Sequence, residues 1–234
     1  MNLIKKRIVF SGGNGRFAKI FKQTNSKYKI FYPSKSELNI TKINSIRSYL
    51  KKIKPKYFMH SAALSRPMNL HDKFISKSID INIIGTANVV KVCEKFNIKL
   101  IYFSTNYVYP GKKGNYSEES SLQPINNYAW SKLGGECSVK LYKHSLILRM
   151  CMCEKPFIHK YAFSDVKTNF IFHEEIAKII PKILNKKGIL NIGGEIQTIY
   201  NFAKKNNKNV KKISAKGKFP PNPSMNISKF KKII

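Results

Sequence analysis

Apolar residues recur along the chain in two rhythms. "RIVFS" (7–11), "YKIFY" (28–32), "KYFMHSA" (56–62), "IKLIYFS" (98–104) and "HSLILRM" (144–150) are short, nearly continuous apolar runs, which predict buried strands. Between them lie helical patterns: a glycine-rich turn leading into a helix at 12–23, a helix at 40–54 stopped by Pro55, and a long, mostly apolar helix from about 79 to 96. A further helix opens after Pro124, with Asn126 or Asn127 as N-cap. In it Trp130, Leu133, Cys137 and Leu141 recur at helical spacing, and Tyr128 and Lys132 lie one turn apart on a different face. Alternation of this kind predicts an α/β fold, a Rossmann-type doubly wound parallel sheet with helices on both faces. Past Met150 the rhythm loosens into a loop or short strand, a returning helix and strand within about 174–205, and a turn-rich tail expected to lie over the surface. The expected organisation is a nucleotide-binding core over 1–150 and a shortened C-terminal lobe over 151–234.

Composition adds limits rather than a function. With 234 residues the chain has room for one sizeable α/β domain and a small lobe. Its apolar start is too short for a secretory h-region and no stretch is long enough to span a bilayer, so a cytoplasmic protein without membrane insertion is expected. Cys93, Cys137, Cys151 and Cys153 lack the spacing of a zinc site. They are read as reduced thiols, with Cys93 and Cys137 buried and no metal bound. The formal charge of +32 suggests polyanions, but lysine carries nearly all of it; the arginines are Arg7, Arg16, Arg47, Arg66 and Arg149. Lysines spread along a chain lack the bidentate fork that phosphate and base recognition favour. Nucleic-acid binding is therefore not expected as the main function.

Candidate chemistry begins at "SGGNGRFA". Small residues between a strand and a helix let a dinucleotide's pyrophosphate approach backbone amides at the helix N-terminus, which selects Gly12, Gly15, Arg16, Phe17 and Ala18. The second strand ends "FYPSKSE", with no Asp where NAD-binding proteins place one to hold the ribose. Ser34, Lys35 and Arg16 could instead face a 2′-phosphate, so NADP(H) is preferred; Glu37 keeps NAD(H) as the alternative. In "HSAALS", Ala62 and Ala63 are small enough to lie against a cofactor. Asn82 is either a satisfied core amide or part of the site. "YFSTNYVYPG" then sets Ser104 and Thr105 at the carboxyl edge of a strand, where doubly wound sheets bind ligands.

In this order and spacing, "SGGNGRFA", "HSAALS", "DINIIGTANV", "FSTNYVYPG" and "YAWSKLGGE" resemble the extended short-chain dehydrogenase/reductases, most closely the dTDP-4-dehydrorhamnose reductase family. The resemblance covers residues 1 to about 149 and returns at "NFIFHEEIAKIIPKIL", "GILNIGG" and "PNPSMNISKF". It implies an NADP(H)-dependent oxidoreductase that reduces the C4 ketone of a nucleotide-linked 4-keto-6-deoxy sugar, in nucleotide-sugar supply for polysaccharide. Tyr128 would donate the proton, Lys132 would lower its pKa and hold the nicotinamide ribose, and Thr105 would orient the carbonyl. Ser65, Thr105, Asn106 and Tyr128 would touch the sugar nucleotide. Asn106 and Tyr107 stand where related dehydratases carry an Asp-Glu pair, which disfavours elimination. C4 epimerisation and a non-catalytic nucleotide-binding subunit stay open as alternatives, and a homodimer is compatible with the family. Two departures stand out: Asn106 replaces the family's Asp, and the lobe after Arg149 is shorter by some tens of residues.

Overall fold

Ile8, Val9 and Phe10 are 0% exposed, so the first strand is apolar on both faces, as a central parallel strand must be. The computed structural model describes residues 5–24, 27–217 and 219–234; the first four residues of the N-terminal run and Lys218 of the basic tail lie outside them. That strand, β1 (Arg7–Ser11), leads into α1 (Arg16–Thr24), β2 (Lys29–Phe31), α2 (Ile43–Ile53) and β3 (Tyr57–His60). There follow α3 (Leu70–Lys73), α4 (Ile75–Ser78), a π-helical turn (Ile79–Ile84), α5 (Gly85–Lys95), β4 (Lys99–Thr105), α6 (Asn127–Leu141) and β5 (Ser145–Met150). The remainder holds short strands β6 (Met152–Cys153), β7 (Tyr161–Phe163), β8 (Lys167–Thr168) and β9 (Ile171–Phe172), then α7 (His173–Ile183) and β10 (Gly188–Ile192). It closes with β11 (Gln197–Thr198), α8 (Ile199–Asn206), β12 (Lys211–Ile213) and α9 (Ser228–Lys231).

Six strands pair in the order β10-β5-β4-β3-β1-β2, every pair parallel. From β1 the chain first adds β2 on one side and then crosses to add β3 on the other. The switch point, and with it the ligand crevice of such sheets, therefore lies above the carboxyl ends of β1 and β3. One face of the sheet is covered by α1 and α7, through Phe10, Phe17, Phe21, Phe103, Ile176 and Ile180. The other is covered by α2 and α5, through Val9, Ile46, Leu50, Phe58, Val89 and Cys93.

Four sequence expectations are revised. Helicity before α5 begins at Leu70 rather than near 79, because polar residues such as His71 and Ser78, both buried, hide the periodicity. In α6 the apolar-period residues Trp130 and Leu141 are exposed, and so is Cys137, which is not a core thiol. The helix instead buries Ala129, Ser131, Lys132, Gly135, Glu136 and Val139, a face of small and polar groups that sequence hydrophobicity ranks low. The tail does not simply lie over the surface: Ser224 and Met225 are 0% exposed and Phe230 packs into the core. Finally, α7 and β10 belong to the central layers, since β10 pairs with β5 over Gly188–Ile192. The material off the sheet is thus 151–172 and 193–234, with its own small core around Phe157, Phe172, Phe202 and Val210.

Candidate active site

The turn after β1 is built for close approach. Gly12 has φ of +81°, and a Cβ there would come within 2.9 Å of the Ala62 amide nitrogen, so both conformation and space require glycine. The Gly15 amide donates to the Gly12 carbonyl at 2.8 Å, closing the turn just before α1. Phe17 and Ala18 then anchor the first turn in the core while the Arg16 side chain stays exposed. Amides of such a first turn have no carbonyl partner within the helix, which is what an anionic ligand needs. Ala62 and Ala63, both partly exposed, form the opposite wall of the turn.

At the end of β2 the Ser34 hydroxyl and amide each donate to Glu37 Oε2 at 2.8 Å. These bonds hold the exposed Glu37 carboxyl below its ordinary pKa. Lys35 is exposed beside them. The stretch after β2 therefore presents a carboxylate as well as an ammonium, and the Ser34 hydroxyl is already engaged.

At the reaction end, Thr105 finishes β4 and caps the short 3₁₀ turn Asn106–Val108, its hydroxyl accepting from the Tyr107 amide at 3.3 Å. Of the two candidates, Asn126 is the N-cap of α6: its Oδ1 accepts from the Ala129 amide at 2.8 Å. That cap fixes where the helix starts and so puts Tyr128 in its first turn. Lys132 follows one turn later, 3% exposed, with Nζ 4.1 Å from the centroid of the Tyr102 ring. Tyr128 and Lys132 thus stand one turn apart on α6, and Thr105 ends the strand to which that helix is tied by the Tyr102 hydroxyl.

Burial dominates the electrostatics of Tyr128 and Lys132. Burial pushes the Tyr128 phenol up to about 12, against the opposing pull of Arg66 and of the Thr105 hydroxyl. Burial also draws Lys132 down to about 7, with Glu136 acting the other way. Arg66, in the loop after β3, is a cation that favours the phenolate. Arg66 was legible as one of five arginines and as the residue following "HSAALS", but nothing in the spacing tied it to Tyr128.

Two candidate contacts, Asn82 and Asn106, are engaged within the fold. Asn82 is buried with its amide spent: Nδ2 donates to the Leu64 carbonyl and to Ser131 Oγ, and Oδ1 accepts from the Leu64 amide. It staples the loop after β3 to α6 instead of facing a cofactor. Asn106 is 1% exposed, and its Nδ2 donates to the Pro223 carbonyl at 3.0 Å, so it ties the C-terminal segment down beneath the site rather than lining the mouth. Ser65 is exposed on the loop beside Arg66.

Other functional side chains are visible only in three dimensions. Glu136, on α6, pairs with Arg149 of β5 at 2.8 Å and accepts from Ser104 of β4, while Arg149 also donates to Tyr109 Oη at 2.9 Å. Both charges are nearly fully buried, and the pair locks the helix bearing Tyr128 and Lys132 to the two strands beneath it. Glu154 of the lobe meets Arg16 at 2.5 Å and Arg66 at 3.5 Å, bridging the turn after β1 and the loop after β3. His71 lies edge-on to the Tyr128 ring at 5.3 Å. A small apolar cavity of about 60 Å³ opens between Tyr107, Cys151, Phe163, Phe170 and Phe219, and Thr105, Tyr128 and Lys132 do not line it. A larger one, about 640 Å³, begins at Ser145 and Gly188, the amino ends of β5 and β10, and is not lined by Thr105, Tyr128 or Lys132.

Known proteins share this chain's sequence pattern and its fold. The family model described as the RmlD substrate binding domain matches residues 6–153. The dTDP-4-dehydrorhamnose reductase of Aggregatibacter actinomycetemcomitans is 25% identical over 170 residues, 70% of this chain and 54% of that protein. Methionine adenosyltransferase 2 subunit beta of Bos taurus is 26% identical over 148 residues, 59% of this chain and 44% of that one. The chain thus spans about half the length of the curated relatives it matches. Among solved structures, the dTDP-4-dehydrorhamnose reductase of Bacillus anthracis in complex with NADP superposes with a TM-score of 0.88 at 23% identity, covering 99% of this chain and 93% of that chain.

Proposed function

Because the chain belongs to the RmlD substrate-binding-domain family of extended short-chain dehydrogenase/reductases, we propose that it is an NADP(H)-dependent reductase of the C4 ketone of a nucleotide-linked 4-keto-6-deoxy sugar. The observation that carries this reading is the placing of Thr105 at the carboxyl end of β4 and of Tyr128 and Lys132 one turn apart on α6, which is tied to β4 through the Tyr102 hydroxyl. The cofactor would lie over the turn from Gly12 to Ala18, its pyrophosphate at the first amides of α1, and would supply the hydride. The NADP held by the Bacillus anthracis neighbour supports that choice. Glu37, held on Ser34, is the feature that would suit the ribose hydroxyls of NAD instead.

Tyr128 is the acid of this reading. A phenol pushed up to about 12 remains protonated throughout the neutral range and has its proton ready when an alkoxide forms. Thr105 donates to the same developing oxygen, and Arg66 stabilises the phenolate left behind. The chain would act in nucleotide-sugar supply, as a cytoplasmic enzyme; among the described residues no helix is long and apolar enough to cross a membrane.

The test is consumption of NADPH in the presence of a panel of 4-keto sugar nucleotides. Loss of absorbance with at least one member is expected, and Tyr128→Phe should lower the rate by about 10² to 10⁴. A second reading, nucleotide binding without turnover, is favoured by the match to an adenosyltransferase subunit over 59% of the chain. Tight NADPH binding with no member consumed would select it.

A further inference from the structure

Tyr102 lies on β4, two residues before Ser104, and is 0% exposed. It grips Lys132 at both ends. Its ring face lies 4.1 Å from the Lys132 ammonium, and its hydroxyl donates to the Lys132 carbonyl at 3.2 Å. There is no slack in this contact: a Cβ on Gly135 would come within 2.5 Å of the Tyr102 hydroxyl and 2.8 Å of the Asn82 carbonyl. The glycine three residues after the lysine is thus the space the tyrosine occupies.

The ionisable groups around Lys132 leave the ring as its main unspent support. Glu136 is the carboxylate that favours the ammonium, but it is already paired with Arg149 and accepts from Ser104. His60 of β3 is held neutral, its pKa drawn down to about 3 by burial and then by Lys132. Tyr102 and Tyr128 are both pushed up by burial and remain neutral phenols, and the Cys137 thiol is exposed on the same helix.

We infer that Tyr102 is a positioning residue for Lys132: its aromatic face holds the ammonium in place behind Tyr128 while its hydroxyl fixes the helical turn that carries it. An aromatic face attracts a desolvated cation more strongly than a hydrated one, and the buried Lys132 is such a cation. The consequence for turnover rests on the reductase reading above, whereas the seat itself is a property of the free protein and is measured there.

The experiment titrates Lys132 directly, by NMR of protein carrying ¹³C-labelled lysine, its resonance assigned by loss in Lys132→Arg. Position 102 is varied through Phe and site-specifically incorporated mono-, di- and trifluorinated Phe, which withdraw electron density from the ring at nearly constant shape. Phe is expected to titrate close to wild type, and each added fluorine to lower the Lys132 pKa, by roughly one pH unit across the series. A packing role alone would give no such trend. A flat series, or a shift in Phe as large as in the trifluorinated ring, would overturn the inference. NADPH consumption by the same proteins separates the two readings: a trend without turnover leaves the seat standing and sinks the reductase, and turnover without a trend does the reverse.

Discussion

His60 carries no charge in the folded protein. It is 0% exposed, with Nδ1 2.9 Å from Ser11 Oγ and Nε2 3.1 Å from Thr86 Oγ1, so it links the end of β1 to α5 directly under the crevice. The unfolded chain takes up a proton near 6.5 and the folded one only near 3. The stability this group contributes is therefore complete above pH 6.5 and is lost as pH falls toward 3, at about 1.4 kcal/mol per pH unit. Urea midpoints measured at pH 7.5, 5.5 and 4.5 should fall more steeply for wild type than for His60→Gln; parallel slopes would refute the assignment. At this scale the sequence exposed Tyr128, Lys132 and Thr105, because a phenol and an ammonium one helical turn apart and a hydroxyl at a strand end are local patterns. It did not expose Arg66, Glu136 or Tyr102, whose partners lie 62, 13 and 30 positions away in the chain.

Helix α6 shows how an element can carry a site while contradicting its own hydrophobic pattern. Its buried face includes Lys132 and Glu136, tolerated because one lies over a ring and the other is paired with Arg149. Gly135 lets this face approach β4 and the π-helical turn, which no larger residue could do without moving the helix. Gly135→Ala would raise the intrinsic helix propensity of α6 by about 1 kcal/mol. The collision with Tyr102 and Asn82 should outweigh that gain, giving a net loss of about 1 to 3 kcal/mol. Chemical denaturation gives the sign, and a variant as stable as wild type would mean that the contact yields easily. Strands β1 to β5 were legible because buried parallel strands are continuous apolar runs. The short strands of the lobe were not, since two- and three-residue pairings leave no periodicity to read.

On the scale of the whole molecule, a formal charge of +32 is concentrated in a single chain whose lysines are mostly exposed. Like charges at such density oppose compaction, and salt screens them, with a Debye length of about 10 Å at 0.1 M. Raising sodium chloride from low to physiological concentration should therefore raise the melting temperature, whereas a domain held by surface ion pairs would respond the other way. A Tm that is unchanged or falls with salt would show that the charges are already compensated locally. The few ion pairs seen among the described residues, of which Glu136–Arg149 is the buried one, support the first outcome.

By itself the sequence determined the parallel sheet, the glycine turn after β1 and the placing of Thr105, Tyr128 and Lys132, since each is written in neighbours a few residues apart. The tertiary structure alone decided that the C-terminal segment runs beneath the site through Asn106 and Pro223, and that β10 closes the sheet against β5. It also decided that Lys132 sits on an aromatic ring. The physical reason is common to all three: whether a polar group can be buried depends on the partner it meets there, and that partner arrives from a distant part of the chain.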